Sequence, residues 1–180
     1  MISKYTLLSN DLFGDLNPKD WPISIDDLPP GSALVGGSVR DGLLNKLSQK
    51  PDLDFVIPIN AIEFSENLSK KINATFIKLD EKRDIARLVV NGWTLDFAQQ
   101  VGQNLEDDLF RRDFRINAIA LKLKEYPEIF DPTGGMDDLK NQKIVAISEK
   151  NLIDDPLRIL RGFRLMCELN FELDKKTKGF

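Results

Sequence analysis

Hydrophobic and polar positions change period along this chain, and each change marks an element. Ala33-Leu34-Val35 is a short unbroken apolar run ending at Gly36-Gly37, which predicts a buried strand (33–35) entering a turn that needs permissive backbone. Apolar residues at 39, 43, 44 and 47 then recur at helical spacing, predicting a helix over 38–48 before Pro51 closes the segment. From Asp52 to Ile57 the period falls to two, so a strand (53–57) carries Asp52 and Asp54 on one face and Leu53 and Phe55 on the other. A helix (60–73) and strands at 75–78, 85–91 and 93–98 follow, with Asn91-Gly92 as a two-residue hairpin signal between the last two. After Gln99–Asn104 the pattern predicts a helical stretch from Glu106 to Ile119, a strand pair flanking Glu125–Glu128, and a loop at Asp131-Pro-Thr-Gly-Gly135. A turn of helix at Asp137–Leu139 and helices near 148–153 and 156–169 complete the order.

This succession reads as α/β: a mixed sheet with helices on one side, passing into a helical region near 140. Residues 1–31, rich in Asp, Pro, Asn and Ser, form an N-terminal arm packed on the core through Leu7, Leu8, Leu12, Phe13, Trp21, Ile23 and Ile25, and Pro29-Pro30-Gly31 ends it. The expected division is an arm (1–31), a main α/β domain (32–140) and the start of a helical domain (141–180).

Composition narrows the chemistry. The 180 residues are 42% hydrophobic, enough for a sizeable core, and include no histidine. His-based acid–base catalysis, His metal ligands and Ser-His-Asp triads are thereby excluded, leaving carboxylates, Lys, Arg and metal. The single Cys167 lies in an apolar helical pattern and is expected to be a buried core thiol; it excludes internal disulfides and cysteine zinc sites. No apolar run reaches membrane-spanning length and the N-terminus is unlike a signal peptide, so a reducing, cytoplasmic location is expected. The net charge of −4 argues against a stand-alone nucleic-acid binder, so any RNA must be held by a local basic patch or by further chain.

Against that background the Gly36-Gly37 turn and the Asp52/Asp54 pair stand out. Amides at such a turn can hold phosphate oxygens. Two adjacent carboxylates repel unless a cation sits between them, and hard oxygen ligands at that spacing suit Mg²⁺, which completes its shell with water and substrate phosphates. With 29 acids in the chain, Asp-x-Asp pairs also arise by chance; the joint order of strand, Gly-Gly, helix and strand with Asp-x-Asp does not. That order points to metal-dependent nucleotidyl transfer. Asp96, in Trp93-Thr-Leu-Asp-Phe97, has two readings: a third carboxylate beside the metal pair if its strand neighbours 53–57, or part of a solvated polar face. Arg111, Arg112 and Arg115 lie beside Asn117; the forks suit phosphates and the amide suits a ribose or base, although a charged helix face would look the same. Asp155 fits an N-cap with Pro156 at the first helical position, and Arg158, Arg161 and Arg164 make one basic stripe beside a face of Leu157, Leu160 and Phe163.

Four ordered motifs resemble the class II tRNA nucleotidyltransferase and bacterial poly(A) polymerase family. They are Leu-Val-Gly-Gly-Ser-Val-Arg-Asp41 with Asp52-Leu-Asp54, Asp108-Leu-Phe-Arg-Arg-Asp-Phe-Arg-Ile-Asn-Ala118, Asp131-Pro-Thr-Gly-Gly-Met-Asp-Asp-Leu139, and Asp154-Asp-Pro-Leu-Arg-Ile-Leu-Arg161. The resemblance implies a polymerase-β-like catalytic head over 32–140, followed by the start of a helical neck that reads the nucleotide base, the C-terminal tRNA-binding domains being absent here and tRNA affinity accordingly weak. It implies that Asp52 and Asp54 bind Mg²⁺, that Gly36 and Gly37 hold the triphosphate of CTP or ATP, and that Arg40 and Asp41 order the site. Arg111, Arg112, Asp113 and Asn117 would contact ribose and phosphates, while Asp155 and Arg158, with Arg161 nearby, would read the base edge in place of a template. The 3′-hydroxyl of tRNA would attack the α-phosphate and release pyrophosphate.

The match has departures. Arg115 stands where the family usually has Thr, Asp154 replaces Glu, and Asn45 stands where glycine is common. Full CCA-adding members carry a longer flexible segment between the positions of Asp96 and Glu106 than the run 97–105 found here. The expectation is therefore a specialist that adds CC or the terminal A. Poly(A) addition within the family, or a catalytically inactive NTP- or RNA-binding module, are the alternatives, and the residues carry no sign of oligomeric state.

Overall fold

The computed structural model describes residues 16–124 and 127–180; the arm anchors Leu7, Leu8, Leu12 and Phe13 lie outside the described residues. The chain divides into two compact units, one running to Val101 and including Ala120–Phe130, the other made of Gly102–Ile119 and Asp131–Phe180.

In the first unit, β1 (Ala33–Val35), β2 (Leu53–Ile57), β3 (Thr75–Asp80), β4 (Ile85–Val90), β5 (Trp93–Gln99), β6 (Ala120–Lys122) and β7 (Glu128–Phe130) form one mixed sheet in the order β3-β4-β5-β2-β1-β6-β7. β2 and β5 run parallel; the other neighbouring pairs are antiparallel. Two helices, α1 (Gly37–Leu43) and α2 (Ala61–Ile72), belong to this unit, and α2 packs against β3, β4 and β5. Strand alternation turns Leu53, Phe55, Leu95 and Phe97 inward, where they are fully buried. Phe55 stacks on Phe97 at 5.0 Å between ring centroids, and Phe64 of α2 meets Phe97 edge-on at 5.4 Å. Each such buried ring contributes about 1.5–3 kcal/mol. Of the expected anchors in the described part of the arm, Trp21 and Ile23 are buried and Ile25 only partly so; Leu28, not among them, is buried too, and Trp21 meets Phe55 edge-on at 5.5 Å.

The Asn91-Gly92 turn forms as expected. Val90 pairs with Trp93, and Asn91 (φ 51°) and Gly92 (φ 80°) both take the left-handed region that a primed hairpin turn demands. The first helix is shorter than its periodicity suggests. It ends at Leu43 because Leu44 and Asn45 bond back to Arg40 and Gly42, and Asn45 takes φ 53°. That left-handed position explains why a glycine is common there and why asparagine is an adequate substitute.

The second unit holds α3 (Leu105–Phe110), α4 (Gly135–Lys140), β8 (Lys143–Ile144), α5 (Glu149–Asp154), α6 (Leu157–Leu169) and β9 (Glu172–Leu173), with β8 and β9 paired in parallel. Leu109, Phe114, Ile116, Ile119, Ile144 and Leu165 are buried in it. The helix expected over Glu106–Ile119 is broken. α3 stops at Phe110, and a single 3-10 turn at Arg115–Asn117 resumes after extended backbone. Asp113 caps its neighbour by accepting from the Phe114 N–H at 2.7 Å, while Phe114 bridges Ala146 and Arg115 donates to the Val145 carbonyl at 3.0 Å. Side-chain and sheet-like bonds thus outcompete the helical ladder over 111–114.

Two expectations about α6 need correction. The N-cap is Pro156, one residue later than expected, although the Asp155 carboxylate still accepts from the Leu157 N–H at 3.2 Å. Gly162, Leu165 and Leu169 form its buried side, whereas Leu157, Leu160 and Phe163 are more than half exposed. A Cβ on Gly162 would lie 2.7 Å from the Phe114 ring, so the missing side chain lets that ring set which face turns inward. Cys167 falls off the buried side and is exposed, not the core thiol expected.

Candidate active site

Gly36 joins β1 to α1 at φ 80°, ψ −141°, a conformation L side chains rarely adopt. Its neighbour Val35 pairs with Asp54, and a Cβ on Gly36 would lie 2.9 Å from Asp54 Oδ2. The glycine is therefore required twice, by its backbone and by the carboxylate in front of it. Arg40, buried on α1, lies with Nη2 3.6 Å from where a Gly37 Cβ would be and forks onto Asp41 at 2.7 and 2.9 Å. Arg40 and Asp41 are thus paired with each other on the helix that follows the turn.

On the sheet, the parallel register places Asp54 opposite Asp96, and the antiparallel β4–β5 register places Asp96 opposite Arg87. Asp96 therefore does neighbour the strand of the acidic pair, on the face opposite the Phe55–Phe97 core. Arg87 grips Asp96 with Nε to Oδ1 at 2.7 Å and Nη2 to Oδ2 at 2.8 Å. The hydrogen bond to Asp96 raises the Arg87 pKa above its ordinary value; desolvation opposes this, and the charges of Asp96, Asp52 and Asp54 add to it. One arginine thus feels all three carboxylates. Sequence reasoning missed Arg87, yet counting outward from the Asn91-Gly92 turn pairs 90 with 93 and hence 87 with 96.

The donor set fits a divalent cation of the magnesium type. Among the described residues, no group of three or more acidic or sulfur side chains forms a ready cage. Mg²⁺ does not need one, since one or two carboxylates plus water and substrate phosphates suffice. Gly36, lacking a side chain, leaves Asp54 Oδ2 room that a Cβ at 2.9 Å would take.

In the second unit, Asp108 is fully buried and receives Arg111 (2.8 and 3.0 Å) and Arg112 (3.0 and 3.3 Å). The Asn151 amide donates to the carbonyls of Phe110 and Arg112 at 2.8 and 2.7 Å. Arg158 Nη1 donates to the carbonyls of Arg111 and Asn151 at 2.8 and 3.0 Å, and its Nε lies 3.9 Å from Asp155. Arg161 pairs with buried Asp113 at 3.0 Å, and Asn117 reaches the same carboxylate at 3.5 Å. Arg161, Asp113 and Asn117 form one cluster and Arg164 turns to Glu168, while Arg111, Arg112 and Arg158 share a network. Asp108 and Asn151, its organising residues, were not singled out. For Asp108 the signal was its spacing of three and four from Arg111 and Arg112. Asp138 of α4 is also buried, with Oδ2 lacking a hydrogen-bond partner; burial pushes its pKa up to about 6, partly opposed by Arg115.

Residues 32–145 match the family described as "Poly A polymerase head domain". The chain is 44% identical over 157 residues to the CC-adding tRNA nucleotidyltransferase of Synechocystis sp., an alignment covering 87% of this chain and 38% of that protein. It is 41% identical over 150 residues to the A-adding tRNA nucleotidyltransferase of Deinococcus radiodurans, covering 83% and 33% respectively. Among solved structures, a complex of CCA-adding enzyme with CTP superposes with a TM-score of 0.80 at 31% identity, over 94% of this chain and 44% of that one. The chain spans well under half the length of these curated relatives.

Proposed function

The chain belongs to the poly A polymerase head domain family, and from that premise we propose that it transfers nucleotides to an RNA 3′ end without a template, adding C, A or both to tRNA from CTP and ATP. The observation that carries this reading is the row of Asp54, Asp96 and Arg87 with Gly36, free of a side chain, set against Asp54. Asp52 and Asp54 would hold Mg²⁺. Bound there, the metal would acidify the RNA 3′-hydroxyl and neutralise the triphosphate, so that displacement at the α-phosphate needs no protein nucleophile.

The chain's own residues do the rest. The amides around Gly36 and Gly37 hold phosphate oxygens, and Arg40 with Asp41 keeps that turn in shape. Arg111 and Arg112, aimed by Asp108, meet the ribose and phosphates together with Asp113 and Asn117. Asp155 would supply an acceptor and Arg158, turned from the Arg111 and Asn151 carbonyls it meets here, a forked donor, a set that would complement cytosine or adenine and mismatch guanine and uracil. On this reading residues 32–140 are the catalytic head and 141–180 begin the base-reading neck.

The short connection 97–105 supports a specialist that adds either CC or the terminal A, and enzymes of both kinds are among the relatives. The family description favours poly(A) addition as the second reading. Mg²⁺-dependent labelling of tRNA by CTP, ATP, GTP and UTP in separate reactions tests both: labelling restricted to C and A supports the first reading, and long A tracts support the second. No labelling by any nucleotide leaves only a binding module. Among the described residues no helix is long and apolar enough to cross a membrane.

A further inference from the structure

Arg87 is given no step in the transfer above, yet it engages the carboxylate that would be a third metal ligand. Its fork takes both oxygens of Asp96, at 2.7 and 2.8 Å. A fork of this kind engages both oxygens of a carboxylate and neutralises its charge, which weakens it as a ligand for a cation held by Asp54 on the adjacent strand. Asp96 also lies level with Asp54, so the positive charge beside the acidic pair is supplied by the protein itself.

We propose that Arg87 is a positioning residue that withholds Asp96 from the divalent cation, and that Asp96 joins Asp52 and Asp54 only when Arg87 releases it. The inference rests on the nucleotidyl-transfer reading of the same carboxylates. Release has a physical cause. A divalent ion at Asp52 and Asp54 repels the guanidinium, and the phosphates of an incoming nucleotide offer it another planar acceptor. Fork and metal compete for one carboxylate, so each weakens the other by the same factor.

The test is a double-mutant cycle read by Mn²⁺ binding, followed by electron paramagnetic resonance on the whole chain without nucleotide or RNA. R87Q is expected to tighten Mn²⁺ binding about tenfold, and D96N to weaken it; adding R87Q to D96N is expected to change affinity less than about twofold. R87K keeps the charge but loses the fork, and is expected to tighten binding about threefold. If R87Q and R87K bind Mn²⁺ like the wild type, or if R87Q tightens binding equally with and without Asp96, the proposal is overturned. The second outcome would make Arg87 a remote charge only. Absence of Mn²⁺ binding in every variant overturns it as well. An intact cycle in a protein that fails to label RNA would uphold the fork and count against the transferase reading alone. Thermal melting of each variant shows that the comparison is between folded proteins.

Discussion

A side chain on Gly36 would run into Asp54: the Cβ position lies 2.9 Å from Oδ2, and the residue sits at φ 80°. G36A is expected to cost about 1–3 kcal/mol through backbone strain and to push the carboxylate aside. Urea denaturation measures the first effect. Nucleotide incorporation at a temperature where both proteins are folded measures the second, and a loss beyond the folded fraction is expected.

Asp108 is expected to matter more than its absence from the surface suggests. It is fully buried and receives two guanidinium groups, so D108A strands both and is expected to cost about 3–5 kcal/mol. D108N preserves shape but not charge. It should raise the KM for nucleotide more than it lowers kcat, because Arg111 and Arg112 lose their aim; steady-state kinetics at varied CTP and ATP checks this.

Asp138 makes stability depend on pH in a direction that can be stated. Its folded pKa of about 6 lies above the ordinary 3.8, so it is protonated in both states only well below that ordinary value, and it carries a buried charge in the native state above about pH 7. The favourable contribution present at low pH is lost as pH rises through the folded value. D138N should melt with the wild type at about pH 3, below the ordinary value, and be more stable at about pH 7.5, by up to about 3 kcal/mol. Equal melting temperatures at both pH values would count against the buried carboxylate.

Nucleotide choice is testable on tRNAs ending in the discriminator base, C or CC. A specialist should act either on the first two substrates with CTP or on the third with ATP. Efficient completion of CCA from the bare end by the intact chain would remove the argument from the short 97–105 connection.

Much of the first unit was legible because its signals are local. Period two separated Asp54 from Phe55, and Asn91-Gly92 fixed the hairpin register that places Arg87 against Asp96. What remained hidden depends on partners distant in sequence. The helix over 106–119 gave way because 113–115 bonds to 145–147, and the period of α6 could not say which apolar stripe would face inward. Phe114 seated on Gly162 decided that, leaving Leu157, Leu160 and Phe163 outside and Cys167 exposed. Asp108 and Asn151 organise the arginine network from buried positions where a pattern-based reading expects apolar residues.

The most direct test of metal-dependent transfer is incorporation of labelled CTP or ATP into tRNA by the wild type and by D54A, each with Mg²⁺ and with circular dichroism to verify the fold. The wild type should label and D54A, folded, should not. Labelling by folded D54A at the wild-type rate would show that the reaction does not run on this carboxylate.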